Sequence, residues 1–95
     1  MYPDIQIKIR SDFGPEKSDD IEAKFEKFKV DFLVIYKEEP SSSIIRCILR
    51  LAEGNEEKLE RYIKTALSDW RDVIYWAEYD REENKVFDGS KRFTS

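Results

Sequence analysis

The sequence predicts an α+β fold, in which a strand, a helix and a second strand are followed by three short helices packed on a small sheet. Two observations predict the sheet. Isoleucines alternate with polar residues over 5–9, and residues 30–36 form a short β-branched and aromatic run. A third observation predicts the helical layer, because apolar residues recur at i, i+3 and i+4 between residues 55 and 79.

The first strand is predicted by the alternation of Ile5, Ile7 and Ile9 with polar residues. A period of two places the isoleucines on one buried face and the polar side chains on a wet face. The sequence Asp-Phe-Gly-Pro at residues 12–15 then predicts a turn that ends the strand.

A short amphipathic helix is predicted after this turn, where Ile21, Phe25 and Phe28 lie at i, i+4 and i+7. Asp19 followed by Glu22 has the form of a capping box at its start. The element therefore connects the first strand to the second.

The second strand is predicted over residues 30–36, Val-Asp-Phe-Leu-Val-Ile-Tyr, since so short an apolar run is typical of a strand buried on both faces. The connecting helix favours a parallel, right-handed pairing of the two strands. Two strands alone are marginal in water, so other parts must cover them. The candidates are the C-terminal helices, a third strand over residues 85–87, or a second copy of the protein.

Residues 43–53 fit a helix and a strand equally well by spacing alone. Alternate residues from Ile45 to Leu51 would form an apolar strand face, while five apolar residues at helical spacing would form an equally good helix face. The ends favour the helix, because a serine supplies an N-cap and Gly54 stands at the C′ position.

Asn55 is the predicted N-cap of the next helix, and the two glutamates that follow occupy the first turn, where the macrodipole favours anions. Apolar residues keep helical spacing over 59–67. Ser68 or Asp69 is predicted to cap a last helix that runs to about Tyr79, and the chain beyond it turns polar and irregular.

A single domain is expected over residues 1–95, since 95 residues suffice for one small core and not for two. Residues 84–95 form a weakly basic tail that could dock on the acidic body. The formal charge is −4, from 17 basic and 21 acidic residues that are interleaved along the chain. The chain has no basic stripe, so we expect no nucleic-acid partner.

Missing residue types exclude several kinds of chemistry. The chain has no histidine, and Cys47 is its one cysteine, which removes histidine-dependent catalysis, an internal disulfide and zinc sites of the Cys/His type. We expect no metal and no cofactor. Neither a membrane-spanning apolar run nor a signal peptide is recognisable, so we expect a cytoplasmic protein that does not contact a membrane.

The last predicted helix carries apolar and aromatic side chains around most of its circumference, which is typical of a helix sandwiched in a core or docked on a partner. Trp, Tyr and Arg are the residues that most often anchor protein interfaces. The candidate interface comprises Arg71, Tyr75, Trp76 and Tyr79. In the alternative, Trp70 and Trp76 both fill the core and Tyr75 shields it.

Asp69 and Asp72 form a candidate polar site, because two carboxylates three residues apart on a helix could bind Mg²⁺ or share a proton. The competing interpretation is that Asp69 caps the helix and Asp72 occupies a favoured position in its first turn. Arg46 and Arg50, four apart if this region is helical, could likewise clasp an anion or belong to a solvated face.

The C-terminal half includes the segments Ile-Arg-Cys-Ile-Leu at 45–49, Leu-Ala-Glu-Gly-Asn at 51–55 and Asp-Trp-Arg-Asp-Val-Ile at 69–74. On these segments it resembles small bacterial proteins of uncharacterised function. The resemblance implies helices in this half and carries no activity, ligand or catalytic residue.

The sequence therefore favours a non-enzymatic interaction or regulatory module whose partner is another protein or, as a homodimer, a second copy of itself. The alternative is a small enzyme or ligand-binding protein with a cleft between the last helix and the tail. That cleft would be formed by Asp69, Arg71, Asp72 and Tyr75. A third class, an acidic immunity or inhibitor protein, agrees with the size and charge of the chain and is supported by no motif.

Overall fold

The computed structural model describes residues 2–93, which form four α-helices and an irregular C-terminal segment. The helices are α1 (Pro3–Phe13), α2 (Pro15–Tyr36), α3 (Ser42–Ala52) and α4 (Glu56–Glu78). Between residues 2 and 93 there is no strand, and the β-type pairing is an isolated antiparallel bridge of Tyr79 with Lys85. The predicted α+β fold is therefore wrong, and the described part of the protein is all-helical.

Residues 5–9, predicted as a strand, belong to α1. Ile5 and Ile9 are fully buried, whereas Ile7 between them is 64% exposed. Two isoleucines four residues apart satisfy the helical period as well as the period of two, so the alternation did not separate the two structures. Pro3 at the first helical position and Asp4 near the positive end of the macrodipole favour the helix.

Residues 30–36, predicted as the second strand, continue α2, which begins at Pro15 rather than near Asp19. The buried stripe extends without interruption to Phe32. The remaining apolar side chains of this stretch are exposed: Val30, Leu33, Val34 and Ile35. Buried and exposed apolar residues together form a nearly continuous apolar run in the sequence. The same run is expected of a strand buried on both faces, which is why a strand was predicted. No glycine or proline occurs over residues 16–36, so nothing in the sequence ends the helix earlier.

The helical prediction for residues 43–53 is confirmed by α3. This helix ends in two residues with left-handed backbone, Glu53 at φ 50° and Gly54 at φ 74°. A Cβ atom on Gly54 would lie 2.8 Å from the carbonyl oxygen of Asp12, so glycine permits both the turn and the close approach of α1. Asn55 then caps α4 as predicted, by accepting a hydrogen bond from a first-turn backbone amide at 3.0 Å.

α4 is kinked at Asp69, whose backbone is extended (φ −157°, ψ 101°), and a second helical stretch begins there. The Asp69 carboxylate accepts a hydrogen bond from the Arg71 backbone amide at 3.1 Å, which confirms the predicted cap. A kink leaves carbonyl groups of the preceding turn without helical partners. The hydroxyl of Tyr36 lies 3.0 Å from the carbonyl oxygen of Leu67 and 3.3 Å from that of Ala66, so α2 supplies one hydrogen-bond donor to this turn.

The helices pack mainly as two pairs, α1 with α2 and α3 with α4, around one apolar core. On α2, Phe25, Phe28 and Phe32 form a row of edge-to-face ring contacts. On α3, the residues from Ile44 to Leu49 are all buried, which makes α3 the most enclosed helix. Within residues 2–93, no helix combines the length and the apolar composition required to cross a membrane.

Candidate functional site

The C-terminal segment, residues 84–93, packs against α3 and the end of α4 and reaches α1. Glu78 at the end of α4 holds it twice: its carboxylate accepts the Gly89 amide at 2.8 Å, and its carbonyl oxygen accepts the Val86 amide at 2.7 Å. Asp4 on α1 accepts the Phe93 amide at 3.0 Å. Residues 84–93 of the predicted tail therefore lie on the helices, while residues 94–95 fall outside the described residues.

Residues 85–87, the candidate third strand, do not form a strand. Lys85 makes the single bridge with Tyr79, and the next two amides converge on the Glu78 carbonyl oxygen at 2.7 and 3.4 Å. A ladder requires amides that alternate between partners, and this geometry ends it after one pair. This candidate for a third strand is therefore contradicted, and the prediction of an irregular chain beyond the last helix agrees with the structure of residues 84–93.

Gly89 makes the closest approach of the segment to the core. A Cβ atom there would lie 2.8 Å from the sulfur of Cys47 and 2.9 Å from the carbonyl oxygen of Ser43. Cys47 is fully buried and belongs to the apolar core. Burial, reinforced by the nearby Glu78 carboxylate, raises the pKa of the Cys47 thiol to about 12, so the thiol is protonated and unreactive at neutral pH.

An open groove of about 930 Å³ lies between the C-terminal segment and the helices, and we call it the C-terminal groove. The helices and the turn after α3 contribute Lys8, Asp12, Arg50, Leu51, Glu53, Trp76 and Ala77. The segment contributes Val86, Phe87, Asp88, Lys91, Arg92 and Phe93. Phe87 and Phe93 stack with ring centroids 6.0 Å apart, so the groove has aromatic as well as charged walls.

The charges of the groove are four cations (Lys8, Arg50, Lys91 and Arg92) and three anions (Asp12, Glu53 and Asp88). Lys8 lies 3.3 Å from one carboxylate oxygen of Asp12. The other oxygen of Asp12 is buried and has no hydrogen-bond partner among residues 2–93. Glu53 is paired outside the groove with Lys58 at 3.6 Å.

The remaining anion, Asp88, accepts hydrogen bonds from the hydroxyl and the backbone amide of Ser90, and these bonds lower the pKa of its carboxyl group. In the part of the chain that the structure describes, Arg50, Lys91 and Arg92 form no ion pair with a carboxylate. The groove thus has one more cation than anion, four against three, in a protein with a formal charge of −4.

Arg46 and Arg50, predicted as a possible anion clasp, have separate partners. Arg46 is buried, and its Nε and Nη2 donate to the two carboxylate oxygens of Asp4 at 2.9 and 3.2 Å. This bonding lowers the pKa of Asp4. Arg50 instead donates from Nε to the carbonyl oxygen of Ala77 at 3.1 Å, and its guanidinium carbon lies 4.7 Å from the centroid of the Phe87 ring.

The predicted interface residues of α4 remain largely at the surface. Tyr75 and Trp76 are 47% and 50% exposed, while Tyr79 is half-buried. Tyr75 stacks on Tyr79 at 5.5 Å and donates its hydroxyl to Glu83 at 3.2 Å, and the charge of Glu83 raises the pKa of Tyr75. Trp76 meets Tyr62 edge-on at 6.3 Å. Of these residues, Trp76 lines the C-terminal groove.

The two tryptophans have different environments. Trp70 is partly buried and packs against the core, whereas Trp76 does not. The alternative in which both fill the core is therefore wrong. The two tryptophans of α4 thus have different positions: Trp70 packs against the core, and Trp76 is half exposed beside the groove.

Asp69 and Arg71 bond to each other at the surface. The Asp69 carboxylate accepts from Nε and Nη2 of Arg71 at 3.1 and 3.2 Å, which lowers the pKa of Asp69 and raises that of Arg71. Asp72 is exposed, and neither aspartate lines the C-terminal groove. Among the described residues, no group of three or more potential metal ligands occurs. This geometry supports the capping role and offers no support for a polar site.

No protein-family model, curated protein or solved structure matches this chain. The resemblance of the C-terminal half to small bacterial proteins stays a prediction.

Several residues of the groove were not predicted as functional. Lys8 was assigned to the polar face of a strand, and Phe87, Lys91 and Phe93 to an irregular tail. The signal that could have drawn attention to them is the recurrence of aromatic and basic residues in a tail described as polar. The pairing of that tail with α1 depends on tertiary structure and leaves no local pattern.

Proposed function

We propose that the protein is a cytoplasmic, non-enzymatic interaction module that binds a partner protein through the C-terminal groove and through Tyr75, the exposed residue that precedes Trp76 on α4. The observation that carries this proposal is the half-exposed Trp76 at a groove of about 930 Å³ with aromatic and charged walls. Tryptophan, tyrosine and arginine supply much of the binding energy in protein interfaces, most strongly where surrounding groups exclude water.

The chemistry of the site also favours binding over catalysis. The one thiol of the chain is buried and protonated, and the carboxylates of the groove are bonded to neighbours or paired with cations. A catalytic site needs a nucleophile or a general base that is accessible and able to change its protonation state. The groups of this groove are instead suited to recognition.

Site-specific photo-crosslinking in cells that produce the protein tests the proposal. A photoreactive phenylalanine analogue replaces Trp76 or Val86, both half exposed at the groove, and in a matched control it replaces Val34 on α2, which is similarly exposed. We expect the two groove positions to capture the same protein and the Val34 position not to capture it. Absence of a crosslink at both groove positions, or equal capture from Val34, would contradict the proposal.

A second copy of the chain is the alternative partner. Size-exclusion chromatography with light scattering separates the two cases, because the monomer has a mass of 11.4 kDa. If the mass rises with concentration and Trp76→Ala abolishes the rise, the partner is a second copy. If the protein stays monomeric while the groove positions crosslink, the partner is a different protein.

A further inference from the structure

We infer that the C-terminal groove binds an acidic segment of its partner and that Arg50 receives one carboxylate of that segment. This inference rests on the proposed function and adds the chemistry of the partner. Three observations support it: the fixed position of Arg50, its unused hydrogen-bond donors, and the local excess of basic groups.

Arg50 is held from two sides although its side chain is exposed. Its Nε donates to the carbonyl oxygen of Ala77 at the end of α4, and its guanidinium group lies over the ring of Phe87. One contact comes from a helix and the other from the C-terminal segment, so the plane of the guanidinium group is set before a ligand arrives. A fixed side chain loses little conformational entropy on binding, which favours affinity.

The donors of Arg50 are mostly unused. A guanidinium group has five N–H donors, and among the described residues Arg50 donates only through Nε. Carboxylates fit such a planar fork with two parallel hydrogen bonds. Because Arg50 lines the open groove, a carboxylate placed there can reach the remaining donors.

Arg46, one turn away on α3, is an arginine whose guanidinium group already binds a carboxylate. Its guanidinium group binds both oxygens of Asp4 and also donates to the carbonyl oxygen of Gly89 at 3.1 Å. Arg50 shares the helix and the contact with the C-terminal segment but is not paired with a carboxylate of residues 2–93. The position that Asp4 fills for Arg46 is open to a ligand at Arg50.

The other groups of the groove extend this preference from one carboxylate to a segment. Lys91 and Arg92 add two cations without ion pairs among residues 2–93, which favours several negative charges in the ligand. Trp76 and Val86, both half exposed, favour an apolar side chain next to those charges. The partner segment is therefore acidic with at least one aliphatic or aromatic residue.

Selection of short random peptides displayed on phage against the immobilised full chain tests this inference without knowledge of the partner. Parallel selections use the wild type, Arg50→Gln, Trp76→Ala and the control Arg10→Gln, which changes an exposed arginine outside the groove. We expect the wild type and Arg10→Gln to enrich the same peptides, rich in Asp and Glu beside an apolar residue. Enrichment of neutral or basic peptides by the wild type would overturn the inference.

Synthetic copies of the enriched peptides then give affinities by fluorescence anisotropy. We expect Arg50→Gln to weaken binding about tenfold or more, and Arg50→Lys to weaken it less, since lysine keeps the charge and loses the fork. Affinity should also fall as salt rises from about 50 to about 500 mM, because charge pairs are screened. Thermal unfolding of each variant, followed by circular dichroism, shows that the fold is retained.

The outcomes separate this inference from the proposed function. Peptides whose binding depends on Trp76 but not on Arg50 would overturn the acidic chemistry and leave the groove as a binding site. Peptides whose binding depends on neither residue, or the absence of any enrichment, would count against both. Complete displacement of the peptide by inorganic phosphate at about 10 mM would reassign Arg50 to a small anion, since phosphate also fits its fork.

Discussion

Asp4 connects three parts of the chain through one carboxylate. It binds Arg46 on α3 in a bidentate geometry and accepts the backbone amide of Phe93 from the C-terminal segment. Both charged side chains are almost fully buried. Removing one member of a buried ion pair leaves an uncompensated charge, which costs more than the pair itself contributes.

We therefore predict that Asp4→Asn lowers the free energy of unfolding by about 3 kcal/mol at neutral pH. Urea denaturation followed by circular dichroism measures the change. Asp31→Asn is the control, because Asp31 forms an exposed pair with Lys27 at 2.9 Å and such pairs contribute about 0–1 kcal/mol. Equal effects of the two substitutions would contradict the assigned role of Asp4.

We also predict that the stability lost on Asp4→Asn depends on pH. The pKa of Asp4 is lowered in the folded state, chiefly because Arg46 hydrogen-bonds the carboxylate. A group with a lowered folded pKa stabilises the fold fully above its unfolded pKa and loses that contribution as pH falls through the folded pKa. The stability gap between wild type and Asp4→Asn should be constant from about pH 7 to about pH 6 and narrow below about pH 4. A gap that stays constant in acid would contradict this assignment.

At this scale, the residues that could be predicted from the sequence act on their immediate neighbours. Asn55 and Asp69 cap helices within a few residues of themselves, and Cys47 is a small apolar group in an apolar run. The different environments of Arg46 and Arg50 could not be predicted. Their partners lie at distant positions of the chain, and the two residues have the same type and adjoining positions on one helix.

The N-terminal cap of α4 is a local feature of an element that the sequence predicted well. Asn55→Ala removes the side-chain acceptor of a first-turn amide and should lower the free energy of unfolding by about 1 kcal/mol. Asn84→Ala serves as the control, because the Asn84 side chain is exposed and only its backbone groups are seen to bond. Chemical denaturation measures both, and a cost at Asn84 equal to that at Asn55 would argue against the cap.

The C-terminal part of α2 is the element in which helix and strand make opposite predictions. Phe32 is 2% exposed and its neighbour Leu33 is 45% exposed. We predict that Phe32→Ala costs about 3–5 kcal/mol, as large-to-small changes in cores do. Leu33→Ala should cost less than about 1 kcal/mol, since a surface contact is lost. In a strand buried on both faces, both substitutions would greatly lower the free energy of unfolding. Comparable losses of stability would therefore contradict the helix.

The strand prediction for residues 30–36 was wrong for an identifiable reason. Val30, Leu33, Val34 and Ile35 are exposed apolar residues beside the buried stripe of α2. A solvated helix normally alternates apolar and polar faces, and without polar residues the period of 3.6 disappears. The helices of the C-terminal half, where charged residues mark the outer face, were predicted with nearly correct ends.

For the whole molecule, the C-terminal segment acts as a cover for the core at Cys47. We predict that Cys47 reacts slowly with a thiol reagent in the native protein, because the reagent must wait for the segment to open. Gly89→Ala should accelerate the reaction about tenfold, since the new Cβ would be too close to the Cys47 sulfur and to the Ser43 carbonyl oxygen. Arg92→Ala is the control and should react at the wild-type rate, because Arg92 is an exposed residue of the same segment whose side chain forms no hydrogen bond or ion pair among the described residues.

The C-terminal groove could not be predicted from the sequence, because its prediction required the correct fold class. The groove is formed by residues from α1, α3, α4 and the C-terminal segment, which approach one another only after the helices pack. The Lys8 ammonium lies 5.4 Å from the centroid of the Phe93 ring. Because residues 5–9 were predicted as a strand, this contact of α1 with the C-terminal segment could not be predicted. Trp76 was identified because its residue type marks interfaces, and that criterion does not depend on the fold.

The hydrogen bond between Asp4 and the Phe93 amide has a topological consequence. It places the first helix beside residue 93, so a short glycine-serine linker could join a residue near position 93 to one near position 2. Chains whose ends lie close together tolerate circular permutation at exposed loops. A permutant opened within residues 37–41, between α2 and α3, should keep the helices and the C-terminal groove intact. A permutant that keeps the helical circular-dichroism spectrum and the thermal stability of the wild type would show that the order of the helices along the chain does not determine the fold.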